Sequence, residues 1–330
     1  MLTCYWTKRV LCGAMFLACP AAFAQGPKCQ VSVPALVVLS NASLMRNMKA
    51  DDFVSLDKQR PVVVQSVRTV VAPRRILFVV ETGRHLKADV RAVEAEVISE
   101  MLKSARPGDS FALTTANGPY VEVRFGADRD VLKAAVNEIR SGLRAKSSEE
   151  GVLDAILRSV EWFLPAQEGD AIVVLALGVE DAHKSSYGKV RKRLADAGIR
   201  VFGFQLGPYM AGYIQSNAAY SFGGYFIPTS TIAPNRESLI HLSAYTGGLM
   251  ATENAQGEGW TTYKLTDERL EKIRYMARQE EKAIAEFYEL SLEGPVRDLA
   301  LAVSPAVQQQ FPQAEAVYPR NSKLCSPASP

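Results

Sequence analysis

Four carboxylates stand where loops could gather them. Glu81 closes the apolar run Ile76-Leu77-Phe78-Val79-Val80 and opens the loop Glu81-Thr82-Gly83-Arg84-His85. Glu150 precedes a helical pattern that starts at Gly151, and Glu180 and Asp181 follow the apolar run 171–176. In an open α/β sheet the loops at the carboxyl ends of the strands converge. Three such loops would offer the oxygen donors that a hard cation such as Ca2+ takes. The competing reading is a set of solvated charges, some paired with Arg84 or Lys146, since exposed ion pairs seldom mark a site. Enzyme chemistry finds less support. The only histidines are His85, His183 and His241, and none lies in a nucleophile-elbow or zinc-protease pattern. The loop after the first apolar run lacks a glycine-rich phosphate fingerprint. Thr246-Gly247-Gly248 reads as a helix-to-strand turn.

Two further sets of residues carry chemistry. Tyr209, Tyr213, Tyr220, Phe222, Tyr225 and Phe226 lie among Gly and Ser between positions 207 and 235. Aromatics on small, polar backbone suit a contact surface; the alternative is that they pack the segment onto its own domain. The second set is the cysteines. Cys4, Cys12 and Cys19 fall in an N-terminal stretch in which Lys8 and Arg9 precede an apolar run from Val10 to Ala18, followed by Ala22 and Ala24 at the small positions of a cleavage site. That pattern is a secretory signal over 1–24, with a lipoprotein through Cys19 as the alternative. Only Cys29 and Cys325 then remain. Two cysteines in an exported chain are expected to pair. They form no zinc pattern.

Composition narrows the classes. The 330 residues carry 38 Lys+Arg against 35 Asp+Glu, and 48% are hydrophobic. The near-neutral balance excludes the basic stripe of a nucleic-acid binder, and the apolar fraction excludes a disordered chain. No stretch after the signal reaches the ~20 apolar residues of a membrane span.

The elements that would position these residues follow from periodicity. Val31, Val33, Ala35 and Val37 alternate, and Pro61-Val62-Val63-Val64 resumes a β-branched character, so 25–72 reads as a small β unit. From 73 to 255, buried strands at 75–80, 171–176 and 201–206 alternate with helical patterns. One of these is Leu86, Val90, Val93, Val97 and Met101; others cover about 129–143, 151–164 and 187–197. A strand pair surrounds Asn117-Gly118. The expected fold class is α/β, a doubly wound and mainly parallel sheet with helices on both faces. Residues 256–330 read as a helix over 266–286, then a β-hairpin in which Tyr288, Leu290 and Leu292 turn at Gly294-Pro295 toward Leu299, Leu301 and Val303.

Several segments, in order, resemble the von Willebrand factor A family. They are Pro107-Gly108-Asp109-Ser110-Phe111-Ala112-Leu113, Gly151-Val152-Leu153-Asp154-Ala155-Ile156, Ala197-Gly198-Ile199-Arg200-Val201-Phe202-Gly203-Phe204 and Leu242-Ser243-Ala244-Tyr245-Thr246-Gly247-Gly248. The flanks, at 48–56 and Phe287-Tyr288-Glu289-Leu290, resemble an exported bacterial subgroup of that family common in Acidobacteria. The resemblance implies a protein-interaction or adhesion module, not an enzyme. It also implies a divalent-cation site built from Asp-x-Ser-x-Ser, a Thr and a second Asp. Those positions fall here on Glu81, Gly83, His85, Glu150 and Leu177. Glu is one methylene too long, Gly83 and His85 bring no hydroxyl, and Leu177 brings no oxygen ligand. The expectation is therefore no cofactor and a metal-independent interaction with a protein or cell-surface partner. The alternatives are a Ca2+ or Mg2+ site with an altered shell from Glu81, Glu150, Glu180 and Asp181, or an enzyme of unknown chemistry.

Overall fold

The computed structural model describes residues 30–39, 43–56, 61–71, 73–83, 86–142, 149–177, 185–206, 239–252, 264–293 and 299–320. The alternating valines near the N-terminus form β1 (Gln30–Val38), β2 (Phe53–Ser55) and β3 (Val63–Val70). The continuous apolar runs form β4 (Arg75–Glu81), β5 (Ser110–Ala116), β7 (Ala171–Ala176) and β8 (Arg200–Gln205); β6 (Glu122–Val123) and β9 (Met250–Thr252) are short. These six lie in the order β6-β5-β4-β7-β8-β9. All neighbours are parallel except β5 and β6, which flank the left-handed Asn117. The order reverses direction between β4 and β7, which is where open sheets of this type carry their sites.

The helices follow the apolar stripes. α1 (Ala88–Lys103) buries Val90, Val93, Val97 and Met101. Asp128 caps α2 (Arg129–Ser141) by accepting from the Asp130 N–H. α3 (Val152–Ser159) runs on into a 3-10 turn over Val160–Phe163. α4 (Tyr187–Ala197) starts at the Ser186 cap and stops at Gly198 in the left-handed conformation. α5 (Leu239–Thr246) and α6 (Asp267–Ala285) complete the set. Ile76, Phe78 and Val80 on one sheet face pack against α1, α2 and α6; Leu77 and Val79 on the other face pack against α3, α4 and α5. The doubly wound reading holds, and the α4 bounds are those that the pattern predicts.

The C-terminal strands differ from the expectation. β10 (Phe287–Glu293) and β11 (Leu301–Val303) do not pair with each other. β10 lies between β1 and β3, and β11 pairs with β2. After β11 come α7 (Pro305–Gln310) and β12 (Glu315–Val317), which pairs with the end of β1. The alternation in β10 explains the outcome. Tyr288, Leu290 and Leu292 fill a core with Val33, Ala35, Val37, Phe53 and Leu301. Phe287, on the opposite face, packs with Leu36, Val38 and Val70 into the α1/α6 core. A strand buried on both faces belongs at the centre of a sheet. The stretches 25–72 and 256–330 thus contribute to one sheet, β12-β1-β10-β3, and α6 belongs to the α/β layers. Among the described residues no helix is long and apolar enough to cross a membrane.

Candidate functional site

At the carboxyl edge of the six-stranded sheet, Glu81 is the last residue of β4 and is 3% exposed. Its Oε2 accepts the Leu177 N–H at 2.9 Å, and its Oε1 accepts from Asn117 Nδ2 at 3.2 Å. The backbone knits the neighbouring loops together. The Thr82 N–H donates to the Ala116 carbonyl at 2.8 Å, and the Asn117 N–H to the Glu150 carbonyl at 2.8 Å. Thr82 Oγ1 donates to the Pro119 carbonyl at 3.0 Å. This close approach demands a glycine at 118, where a Cβ would lie 2.2 Å from the Thr82 carbonyl oxygen.

Glu81 and Leu177 thus meet through one hydrogen bond, and the Glu150 carbonyl lies one backbone hydrogen bond from Asn117. Leu177 supplies a backbone donor. The Glu150 side chain turns away to Arg158, which donates from Nε and Nη2 to its two oxygens, each at 2.9 Å. Such a fork is the strong form of a carboxylate contact. Arg158 also reaches Glu122 Oε2 at 2.9 Å and Thr114 Oγ1 at 2.9 Å. Its guanidinium stacks on Tyr120 and Trp162, and Arg124 covers Trp162 at 3.9 Å. Burial pulls the Glu122 carboxyl upward, but hydrogen bonds from Tyr120 and Arg124 and the nearby Arg158 hold it below its ordinary value. His85, Glu180, Asp181, Cys19, Cys29, Cys325 and the aromatics Tyr209, Tyr213, Tyr220, Phe222, Tyr225 and Phe226 lie outside the described residues.

Sequence reasoning missed Glu94. It sits on α1, fully buried, and neither carboxylate oxygen has a hydrogen-bond partner. Burial and, next, the Glu81 carboxylate push its pKa well above the ordinary value, against a smaller pull from Arg91. The signal was present: Glu94 follows Val90 by four and precedes Val97 by three, so it falls on the apolar stripe. Asn117 Oδ1 and Arg91 Nε are likewise buried without a partner. Among the described residues, no group of three His, Cys, Asp or Glu side chains is arranged to hold a metal ion.

Fold and edge together define a doubly wound α/β domain whose switch-point loops close around an internal acid. No family model and no curated protein matches the chain. Solved structures do, among them von Willebrand factor A domain proteins. The von Willebrand factor type A protein from Catenulispora acidiphila is 10% identical, with 85% of this chain and 71% of that one covered at a TM-score of 0.43. The conserved hypothetical protein BatB from Bacteroides thetaiotaomicron is 17% identical, with 63% and 98% covered at a TM-score of 0.40. An aerotolerance-related membrane protein from Bacteroides fragilis is 14% identical, with 62% and 98% covered at a TM-score of 0.38. At such values the likeness is of chain trace, and the fold assignment rests on the strand order and register above.

Proposed function

We propose that this chain is an exported, non-enzymatic protein-interaction or adhesion module that works without a metal ion. The observation that carries the reading is the Glu81 carboxylate, which accepts from the Leu177 N–H and the Asn117 amide. A carboxylate spent on two internal donors is not free to hold an open cation for a partner's acidic group. Gly83 offers no hydroxyl, and Glu150 is engaged by Arg158. The donor set does not fit the family's cation mode. In this reading the partner is a protein or cell-surface molecule, met by the aromatic segment 207–235, which follows β8 in the sequence. Export rests on the signal pattern at 1–24, and Cys29 pairs with Cys325. One observation favours a metal-dependent reading with an altered shell: Glu94 stands beside Glu81 with both oxygens unpartnered.

Two measurements on the metal-stripped exported chain separate the readings. Calorimetric titration with Mg2+, Mn2+ and Ca2+ should show no saturable binding, and adhesion to cells should survive a chelator. Saturable heat lost in both Glu81→Ala and Glu94→Gln, together with chelator-sensitive adhesion, would establish the metal-dependent reading instead. Adhesion unchanged by alanine at Tyr213, Tyr220 and Tyr225 would remove the aromatic segment from the contact.

A further inference from the structure

At the amino edge of the six-stranded sheet, opposite the Glu81 loop, lies a cavity of about 430 Å3. One wall is the turn 166–169 before β7, the end of α4 and the start of β8. The other is formed by β1 and β10 of the β12-β1-β10-β3 sheet. A space of this size takes a small organic ligand. Pro34, Leu194, Ala197, Ile199 and Phe287 line it, so the ligand's body must be apolar.

The charges around the cavity are unevenly answered. Its two acids are both held by Arg68: Glu289 accepts from Arg68 and from Ser32, and Glu168 accepts from Arg68 at 3.4 Å. Arg200 also lines the cavity and is 3% exposed. Its described partners are the Ala283 and Ile284 carbonyls, at 3.4 and 3.1 Å, and the Phe287 ring, 4.1 Å away. No carboxylate is among them, and the two bonds leave further donors of the guanidinium fork unused. Burial, and next the Arg74 charge, pull its pKa down to about 9, against a smaller lift from Glu168. A guanidinium so placed favours an anion brought beside it. Arg191 repeats the arrangement. Its described contact is the ring of Tyr245, at 4.4 Å, and Tyr245 is another cavity residue. Arginines braced on aromatic faces are well set to fork a carboxylate. The helix ends in the wall do not compete for a cation. The Gly198 N–H closes the Ala195 carbonyl at 3.2 Å, and the Arg320 N–H closes the Tyr245 carbonyl at 3.0 Å.

We propose that this cavity binds a small organic carboxylate with an apolar body. The acid group lies toward Arg200 and Arg191, and the body lies between Pro34, Phe287 and the end of α4. The site is at the other end of the sheet from the Glu81 loop, and it rests on neither the partner contact nor the metal-independent reading.

The test uses the full chain and octanoate, with octanol and octylamine as neutral and cationic molecules of the same body. Calorimetric titration should show saturable binding of octanoate, about tenfold or more tighter than octanol. Amide exchange at Gly198 to Arg200 should slow when octanoate is present. Arg200→Gln should remove the preference for the carboxylate. Because Arg200 also closes the end of α6, two further variants leave that contact in place. Ser32→Trp fills the gap from an exposed strand position and should abolish binding. Arg191→Gln should weaken octanoate severalfold and leave octanol unchanged. Octanol as tight as octanoate would overturn the proposal by removing the arginine anchor, and octylamine tighter than octanoate would overturn it by reversing the sign of the site. No saturable binding, or octanoate binding unchanged in both Ser32→Trp and Arg191→Gln, would overturn it as well.

Discussion

Glu94 buries a carboxyl with no donor to answer it, which costs free energy in any folded chain. Burial first and the Glu81 charge second raise its pKa well above the ordinary value. Folded, the group keeps its proton to a higher pH than it does unfolded. The native state is therefore most favoured below the ordinary carboxylate pKa, and stability falls as pH rises from there toward the folded value. Glu94→Gln removes the ionisation and keeps the shape. Thermal melts should show the variant gaining on the parent as pH rises from about 4 to about 8; parallel profiles would contradict a protonated Glu94. At this scale the sequence was half legible. That Glu81 ends a buried strand could be read from the apolar run before it. The contacts around it could not, because Leu177 acts through its backbone and Glu150 is claimed by Arg158, eight residues along the chain.

Among the elements, α6 shows how ends are satisfied. Its last carbonyls are met by two buried arginines from strand starts. Arg74 donates to the Glu281 carbonyl, and Arg200 to the carbonyls of Ala283 and Ile284. Arg74 also binds Asp109 and Glu281 through their carboxylates, at 2.5 and 2.9 Å, with 1% of its side chain exposed. Arg74→Met would strand two acids and a helix end. Loss of about 3–5 kcal/mol is expected, read as a lower denaturant midpoint at unchanged slope; a loss below ~1 kcal/mol would deny the network that role. The Pro-Gly-Asp motif thus has a structural use here, because its Asp109 holds Arg74, the residue that ties the start of β4 to the end of α6. The strands and helices of the α/β layers were legible because each is local, with its period and its caps in one stretch. The β10–β11 hairpin was misread because alternation gives a strand its faces but not its neighbours.

On the scale of the whole molecule, the sheet β12-β1-β10-β3 joins residues more than 240 positions apart, as at Pro34 and Glu289. Its outer face shares the core under α1 and α6. The two parts should therefore unfold together. Leu290→Ala, in the fully buried core of the β unit, is expected to cost about 2–5 kcal/mol. The near-ultraviolet and far-ultraviolet transitions should shift to lower temperature as one. A split into two transitions would show that the layers are independent.

The position of β1 also sets a timetable. It is made early, yet both of its neighbours, β10 and β12, come from the last fifth of the chain. Until that part is synthesised, and in an exported chain has crossed the membrane, a valine-rich strand waits with two open edges. Open strand edges are where unwanted pairing begins. Native closure is a late and non-local step, slow by the same topology that makes the finished sheet a single body. Holding factors that shield such edges would act on this stretch before any other.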